Sequence, residues 1–370
     1  MKIVIVAPSL QLGGLENSVA VMANYLAAKG HSVSLLLCYR LERFYAIDER
    51  IDVVEPPFCR WRQGKLAFYG RWVAFLRRNF RQIRPDIVLS YGDFHNALVL
   101  TAAKADRLPV VIADRASPGL EFPIAIRWLR RKMYPGAAGI LAQTARAASS
   151  QRRIAGASVP VQVIPNPIRS FPAIETGHRD RVVLAAARHY HVKGLDRLVE
   201  AFAQVQAEHW ELHVAGSEGP ATEDLQQLVQ KRGLSKRVRF LGSVRDMERL
   251  YAKAGLFVLP SRSEGFPNAL IEAMSFGCPS IAFDINAGPA DIIDHGVNGL
   301  LVADGDVAEF AHSMQWLIDD DALRRSLGSE AKKLKEELSV ERIGSRVEEF
   351  LALVLRPVDG GEAVLTVRSR

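Results

Sequence analysis

Continuous apolar runs alternate with helical patterns along the first half of the chain. The segment between the first two runs predicts an amphipathic helix from Glu16 to Lys29, which Gly30 would end. Runs rich in β-branched residues are typical of strands that are covered on both faces. The predicted strands of this half are 2–8, 31–38, 86–90, 109–114 and 138–144.

The second half restarts the same alternation. Its predicted strands are 181–188, 210–216, 238–242, 255–261, 279–284 and 299–303. Strands that alternate with helices across short loops predict a parallel sheet covered on both sides. Two such series predict an α/β protein with two Rossmann-like, doubly wound domains that face a central cleft, where ligands bind beyond the carboxyl ends of the strands.

The proline-rich segment 163–177 is the predicted linker because it carries no regular pattern. The expected domains are 1–167 and 168–340. A late helix, 341–356, is expected to pack back on the first domain, and 357–370 to form a tail.

Composition narrows the class of protein. A chain of 370 residues exceeds the usual size of one core, and a net charge of +7 favours an anionic partner. Three cysteines without a CxxC pair argue against a disulfide framework or a zinc site and fit a reducing cytosol. No apolar run approaches the ~18 residues that a membrane span needs. The N-terminal run is interpreted as a strand rather than a signal peptide.

Two segments at strand ends offer groups for an anion. Gly13 and Gly14 precede a helix, where the backbone can approach a phosphate, although a simple turn explains them equally well. Arg188 and Lys193 follow the first strand of the second half. They can clamp a diphosphate, the alternative being a pair of surface charges.

The sequence SRSEGFPNALIEAM, 261–274, holds Glu264 in a turn and Glu272 in a predicted helix. From the residues alone the carboxylates can be a general acid/base pair, metal ligands, hydrogen-bond acceptors for a ligand, or solvated charges. Pro267 suits the first turn of that helix, whose N-terminus would favour an anion.

These motifs, in this order, resemble those of retaining glycosyltransferases of the GT-B fold, family 4, also described as glycosyl transferases group 1. The resemblance rests on GGLEN after the first strand, RHYHVKG after the linker, the E-x7-E signature from Glu264 to Glu272, and GPADIIDHGVNGLLV. It implies that the second domain holds most of a nucleotide-sugar donor, linked to UDP or GDP.

The resemblance also implies residue roles. Glu272 would accept hydrogen bonds from the ribose, and Glu264 would contact the donor sugar. Arg188 and Lys193 would neutralise the leaving diphosphate, so that Arg188, Lys193 and Glu264 form the expected catalytic set. Further donor-binding residues would be Gly14, Gly216, Val244, Arg245, Gly265, Phe266, Pro267 and Asn268, with Val244 and Arg245 against the nucleobase and backbone N–H groups at Gly14 and at 266–268 helping to bind the diphosphate.

The expected acceptor side departs from the family pattern. Many relatives carry a histidine where this chain has Arg115, and an arginine cannot act as a base at neutral pH. Arg115, beside Asp114, is expected to bind an acceptor phosphate or the sugar. His95 is the alternative residue of the first domain, although a lone histidine is more often structural.

No essential metal is expected. Asp304 and Asp306, and the run 319–321, match the D-x-D metal motif of the other glycosyltransferase fold. Their positions beside predicted helices favour caps and solvated charges instead.

Basic residues cluster at 60–84 and 127–132. The first segment holds eight Arg and Lys residues and no acid, interleaved with aromatic residues. Such segments bind anionic membrane surfaces, unless the aromatic residues face the core. No nucleic-acid partner is expected because no base-reading module is visible. The favoured interpretation is a cytoplasmic protein on the inner face of the membrane, with a glycan or polyprenyl- or lipid-linked acceptor.

Two other functions remain open. A nucleotide-sugar 2-epimerase shares the fold but needs no acceptor. A non-catalytic subunit of a glycan-assembly complex is the other, since the family histidine is missing.

Overall fold

A computed structural model describes residues 1–11, 13–59, 64–115, 117–169, 171–172, 174 and 177–356. The predicted tail 357–370 and the start of the basic segment, 60–63, lie outside the described residues. The chain folds around two parallel sheets, of seven and six strands.

The first sheet has the strand order β3-β2-β1-β4-β5-β6-β7. Its strands are β1 Lys2–Ala7, β2 Ser32–Leu37, β3 Asp52–Val54, β4 Ile87–Tyr91, β5 Val110–Asp114, β6 Gly139–Ala142 and β7 Val161–Val163. The helices between them are α1 Gly14–Ala28, α2 Lys65–Ile83, α3 Asn96–Ala103, α4 Ile124–Met133 and α5 Ala145–Ala155. Every residue of β4, β5 and β6 is buried, as expected for strands covered on both faces.

The second sheet has the order β10-β9-β8-β11-β12-β13. Its strands are β8 Asp180–Ala186, β9 Glu211–Ala215, β10 Val238–Gly242, β11 Ala254–Leu259, β12 Ser280–Asp284 and β13 Leu300–Ala303. The helices are α6 Leu195–Phe202, α7 Thr222–Lys231, α8 Met247–Lys253, α9 Asn268–Ser275, α10 Val307–Asp319, α11 Asp321–Ala331 and α12 Leu334–Glu337. The predicted α/β class with two doubly wound sheets is confirmed.

The last helix, α13 Val340–Leu355, returns to the first sheet. It packs against α1, and its Glu348 forms an ion pair with His31, with 2.9 Å between Oε1 and Nε2. Phe350 is buried in the same core as the strands of the first sheet. The chain therefore crosses from the second sheet back to the first before the described residues end.

The aromatic residues of α2 belong to the core rather than to a membrane-facing surface. Phe68, Trp72, Leu76 and Phe80 recur at every fourth position and are all buried. The structure thus supports the core alternative for this helix, while its cations remain exposed. No helix among the described residues combines the length and hydropathy that a membrane span requires.

Helix α4 presents a different surface. Ile124 is 77% exposed and Trp128 is 60% exposed, and both share the helix with Arg127, Arg131 and the exposed Lys132. Lys132 Nζ lies 4.9 Å from the centroid of the Trp128 ring. Segment 127–132 thus combines exposed cations with the exposed Trp128, and Ile124 lies beside it on the same helix. In the described part of 60–84, the large apolar side chain that is exposed is Leu66, at 92%.

Candidate active site

The cleft lies where both sheets reverse their strand order. The first sheet reverses between β1 and β4, and the second between β8 and β11. Open α/β sheets bind ligands in the crevice outside the carboxyl ends of such strands. The segments that follow β8 and β11 carry Arg188, Lys193 and Glu264, so three of the predicted site residues share one edge of the second sheet.

Lys193 and Glu264 form an ion pair at this edge. Nζ of Lys193 donates to Oε1 of Glu264 at 2.7 Å, and the Ser261 hydroxyl donates to the same oxygen at 2.7 Å. The side chains are 25% and 11% exposed, respectively. Because an ammonium has three donors, Lys193 can hold Glu264 and still donate to a diphosphate. The ion pair therefore links Lys193, which is predicted to bind the diphosphate, to Glu264, which is predicted to bind the sugar.

Arg188 is exposed at the end of β8, with its guanidinium 5.3 Å from the centroid of the Tyr190 ring. Gly216 lies behind it with φ of 153°, and a Cβ at Gly216 would lie 2.0 Å from the carbonyl oxygen of Ala187. Any side chain there would displace the backbone that leads into Arg188. The described contacts of Gly216 thus give it a supporting role beside Arg188.

Glu272 is held by a cation and a phenol. Arg169 Nε lies 3.2 Å from Oε1 of Glu272, and the Tyr251 hydroxyl donates to Oε2 at 3.1 Å. Burial raises the pKa of Glu272 above its ordinary value of 4.5, while Arg169 and Tyr251 oppose the rise. The side chain is ionised, and can accept hydrogen bonds from hydroxyl groups with both oxygens, only at a pH above this raised pKa.

Donor affinity is therefore expected to fall as the pH falls toward the raised pKa of Glu272. Protonation removes acceptor capacity from the carboxylate, and losing a hydrogen bond to a charged group costs about tenfold in affinity. Titration calorimetry with a nucleotide-sugar between about pH 5 and 8 measures the effect. Glu272→Gln should give weak, pH-independent binding, and Glu336→Gln, an exposed change on α12, should retain the wild-type profile. A wild-type affinity that is flat across this range would contradict the assignment.

A chain of hydrogen bonds crosses the cleft. The Asn268 amide donates to the carbonyl oxygen of Gly14 at 3.4 Å and accepts from the Asn166 amide at 2.8 Å. The Arg115 guanidinium donates in turn to Asn166. The start of α9 thus meets the start of α1 and the end of β5, which brings the predicted donor-side and acceptor-side residues together.

Some predicted donor-side groups have partners within the protein. Pro267 has no backbone N–H group. The backbone N–H of Asn268 donates to the Phe266 carbonyl oxygen at 3.0 Å. Phe266 and Pro267 are buried, so their side chains support the turn. In the loop between β10 and α8, Val244 is half-buried against the core and Arg245 is exposed.

The predicted acceptor side centres on Arg115. Its guanidinium lies 5.2 Å from the centroid of the Tyr91 ring, and its backbone N–H donates to Asp93 at 3.0 Å. Asp114 is buried and accepts a hydrogen bond from Gln151. Burial and the neighbouring Asp93 raise the pKa of Asp114 well above its usual range, which favours a protonated carboxyl group.

His95 packs inside an aromatic cluster. It is 8% exposed, its Nε2 lies 3.2 Å from the Tyr39 hydroxyl, and its ring lies 5.4 Å from that of Trp72. This environment matches the structural alternative for a lone histidine better than a role in acceptor binding.

The aspartate pairs act as helix caps and surface charges. Asp306 accepts from the N–H of Glu309 at 2.9 Å, and Asp320 accepts from that of Leu323 at 2.8 Å. Asp304 pairs with Arg197 at 2.7 Å. Throughout the described ranges, no three His, Cys, Asp or Glu side chains form a group that can hold a metal ion.

Three residues of the site carry no motif in the sequence. Asn166 and Arg169 come from the proline-rich segment, and the one indication of their place in the cleft is that they follow the end of β7. Ser117 donates or accepts across the cleft with Ser263, at 2.8 Å between the hydroxyl oxygens. For Asn166 and Arg169, the sequence signal that could have indicated a site is the presence of polar side chains in a linker between two facing domains.

Comparisons with known proteins agree with this architecture. Residues 12–170 match Glycosyltransferase Family 4, and residues 169–334 match Glycosyl transferases group 1. An alpha-D-kanosaminyltransferase of Streptomyces kanamyceticus is 30% identical over 74% of this chain and 80% of that protein. The chain belongs to glycosyltransferase family 4.

Two further relatives show how varied the family is. An N-acetyl-D-galactosaminyltransferase of Campylobacter jejuni that acts on an undecaprenol-diphosphate-linked glycan is 26% identical, covering 96% of this chain and 98% of its own. An exopolysaccharide phosphotransferase of Streptomyces coelicolor is 29% identical over 94% of this chain, which spans only 40% of that protein.

Solved structures show the same fold. A sucrose-phosphate synthase from Thermosynechococcus elongatus superposes with a TM-score of 0.80 at 18% identity, covering 96% of this chain and 99% of its own. The Anabaena protein HepE, in complex with UDP and glucose, gives a TM-score of 0.76 at 21% identity, covering 95% and 100%. The expected GT-B architecture, with two Rossmann-like domains, is confirmed.

Proposed function

We propose that this glycosyltransferase moves a hexose from a UDP- or GDP-linked donor to a hydroxyl group of a glycan or lipid-linked acceptor, with retention of the anomeric configuration. The observation that carries the proposal is the Lys193–Glu264 pair at the switch point of the second sheet, opposite Arg115 and Gly14. The Campylobacter relative and the UDP-bound Anabaena structure support the donor and acceptor classes. The expected process is cell-surface polysaccharide or glycolipid assembly.

The proposed mechanism relies on electrostatic stabilisation. As the donor bond breaks, negative charge grows on the diphosphate, where Arg188 and Lys193 stabilise it. Glu264 orients the sugar while it becomes oxocarbenium-like. The acceptor hydroxyl, positioned near Arg115, attacks from the face that the diphosphate leaves, and its proton passes to the departing diphosphate oxygen. These reaction steps require neither a covalent carboxylate intermediate nor an essential metal ion.

Thermal-shift measurements against UDP-, GDP- and ADP-sugars test the donor assignment. A bound donor stabilises the protein in proportion to the logarithm of its concentration over Kd. We expect one nucleotide class to raise Tm in the wild type, with Glu272→Ala reducing the shift and Glu336→Ala leaving it unchanged. NMR of the product then gives the anomeric configuration. Conversion of the donor to an epimer without any acceptor would favour the 2-epimerase instead.

We also propose peripheral contact with the inner, anionic face of a membrane, made chiefly by α4. Its exposed Ile124 and Trp128 stand beside cations, whereas the aromatic residues of α2 are in the core. Amphipathic helices of this composition lie in membrane interfaces. Co-flotation with anionic liposomes measures the contact, and a protein that stays unbound at low salt would refute it.

A further inference from the structure

A cavity of about 170 Å³ lies beside the acceptor side of the cleft. Its walls come from α4, from α5 and from the segment that follows β5. Three arginines of α4 line it, together with polar side chains of α5: Arg127, Arg130, Arg131, Ser150 and Gln151. The lining therefore carries three cationic side chains.

Arg130 is a buried cation with unused donors. Its side chain is 4% exposed, and its guanidinium lies 4.1 Å from the centroid of the Phe122 ring. Nη2 is 3.5 Å from the Gln151 amide oxygen and 3.8 Å from an Asp114 oxygen. Nε and Nη1 have no hydrogen-bond partner within the described part of the chain. Unsatisfied buried donors are costly, so this arrangement favours an additional anion nearby.

The remaining charges of the cavity do not neutralise it. Arg127 and Arg131 are exposed and form no ion pair with any described acid. Among the described lining residues, the one acid is Asp114. One carboxylate cannot balance three guanidinium groups, so the arginines lack a full counter-charge.

The cavity shares a wall with the donor side of the cleft. The Ser117 hydroxyl lies 2.8 Å from that of Ser263, the residue before Glu264. The Asn286 amide donates to the carbonyl oxygen of Pro118 at 2.9 Å. Ser117 and Pro118 also line the cavity, so a group bound there is separated from the sugar site by one segment of backbone.

Apolar side chains lie at the outer rim. Residues three or four apart are neighbours on a helix surface, so Ile124 and Trp128 flank Arg127 and Arg131 on the exposed side of α4. Leu120, 48% exposed, lines the cavity itself. An anionic head in the cavity would therefore place an attached hydrocarbon chain along exposed apolar surface.

We propose that this cavity binds the phosphate or diphosphate group of a lipid-linked acceptor, with its lipid chain along Ile124 and Trp128. Arginine guanidinium groups bind phosphate oxygens through paired, charge-assisted hydrogen bonds. The inference rests on the proposed function, since it names the chemical class of the acceptor. It also gives the unused donors of Arg130 a ligand.

Titration calorimetry with inorganic pyrophosphate tests the head-group site. The measurement is made on Arg188→Ala/Lys193→Ala protein, so that the donor clamp does not contribute. We expect one pyrophosphate site, which Arg127→Gln/Arg131→Gln weakens at least about tenfold. Arg152→Gln/Arg153→Gln, a pair of exposed arginines on α5 outside the cavity, should leave the affinity unchanged. No pyrophosphate binding, or equal loss in both pairs, overturns the proposal.

Farnesyl diphosphate tests the lipid portion on the same protein. Burying a few methylene groups should make it bind at least about tenfold more tightly than pyrophosphate. Ile124→Ser/Trp128→Ser should abolish this difference and leave pyrophosphate binding intact. Equal affinities in the starting protein would refute a lipid-linked ligand.

The two levels of the proposal fail differently. Protein with an intact clamp that transfers sugar to a phosphate-free glycan, with the same KM in Arg127→Gln/Arg131→Gln, would overturn the cavity assignment and retain the proposed function. Pyrophosphate binding in the cavity without transfer from any donor would overturn the proposed function and retain the anion site.

Discussion

Lys193→Ala is expected to lower kcat by about 10²- to 10³-fold with a saturating donor, the usual result of removing one group that stabilises charge in a transition state. The ammonium lies in the segment after β8, where the diphosphate charge would develop, and it is anchored to Glu264 at 2.7 Å. KM for the donor should change less than kcat, because the contact strengthens as the bond breaks. Steady-state kinetics with the identified donor gives both constants.

The Lys193–Glu264 pair raises a competing explanation, which a second variant resolves. Removing Lys193 leaves Glu264, only 11% exposed, without its cation. Lys193→Ala/Glu264→Gln removes the stranded charge as well. If Lys193 acts on the diphosphate, the double variant is slower than Glu264→Gln alone; equal rates in these two variants would show that Lys193 serves only to neutralise Glu264. Arg232→Ala, which breaks the exposed pair with Glu200, is the matched control for loss of a cation.

The fold was largely predictable because its strands are buried on both faces. Such strands are apolar runs in the sequence, and these runs predict all but two of the strands in the described residues. The exceptions, β3 and β7, have three residues each and lie at the two edges of the first sheet, where no residue is buried. Short, half-exposed edge strands leave no run for a pattern to detect.

The site was predictable only as far as its residues follow strand ends. Glu264 and Lys193 belong to motifs, so their neighbourhood could be inferred before any distance was known. Asn166 and Arg169 could not, because they lie in a segment without periodicity. Asn166 contacts Asn268 where the two domains meet, and Arg169 pairs with Glu272 of the distant α9. In α2, by contrast, the sequence holds a signal for the core, because its buried apolar residues recur at every fourth position. The basic residues beside them favoured a membrane surface instead.

The approach of the domains is itself testable at Gly265. A Cβ on this residue would lie 2.4 Å from the carbonyl oxygen of Arg115, whereas an ordinary contact begins at 3.4 Å. The backbone angles at Gly265 lie outside the left-handed region, so alanine introduces a contact without backbone strain. The second domain would have to withdraw by about 1 Å from the end of β5. Since the ion pair of Glu264 belongs to one domain and Arg115 to the other, withdrawal separates donor from acceptor groups.

Gly265→Ala is accordingly expected to reduce kcat/KM for the acceptor by about 10²-fold, because a misplacement of 1 Å between reacting groups has an effect of this size. Tm should change little, since the residue lies in a turn outside the buried strands. Gly136→Ala, where a Cβ meets nothing within 4 Å, is the matched control. Donor affinity should fall less than transfer in Gly265→Ala, because the contacts of Glu264 and Glu272 lie within the second half of the chain and its linker. Full transfer activity in Gly265→Ala would mean that catalysis does not depend on the close approach of Gly265 to Arg115.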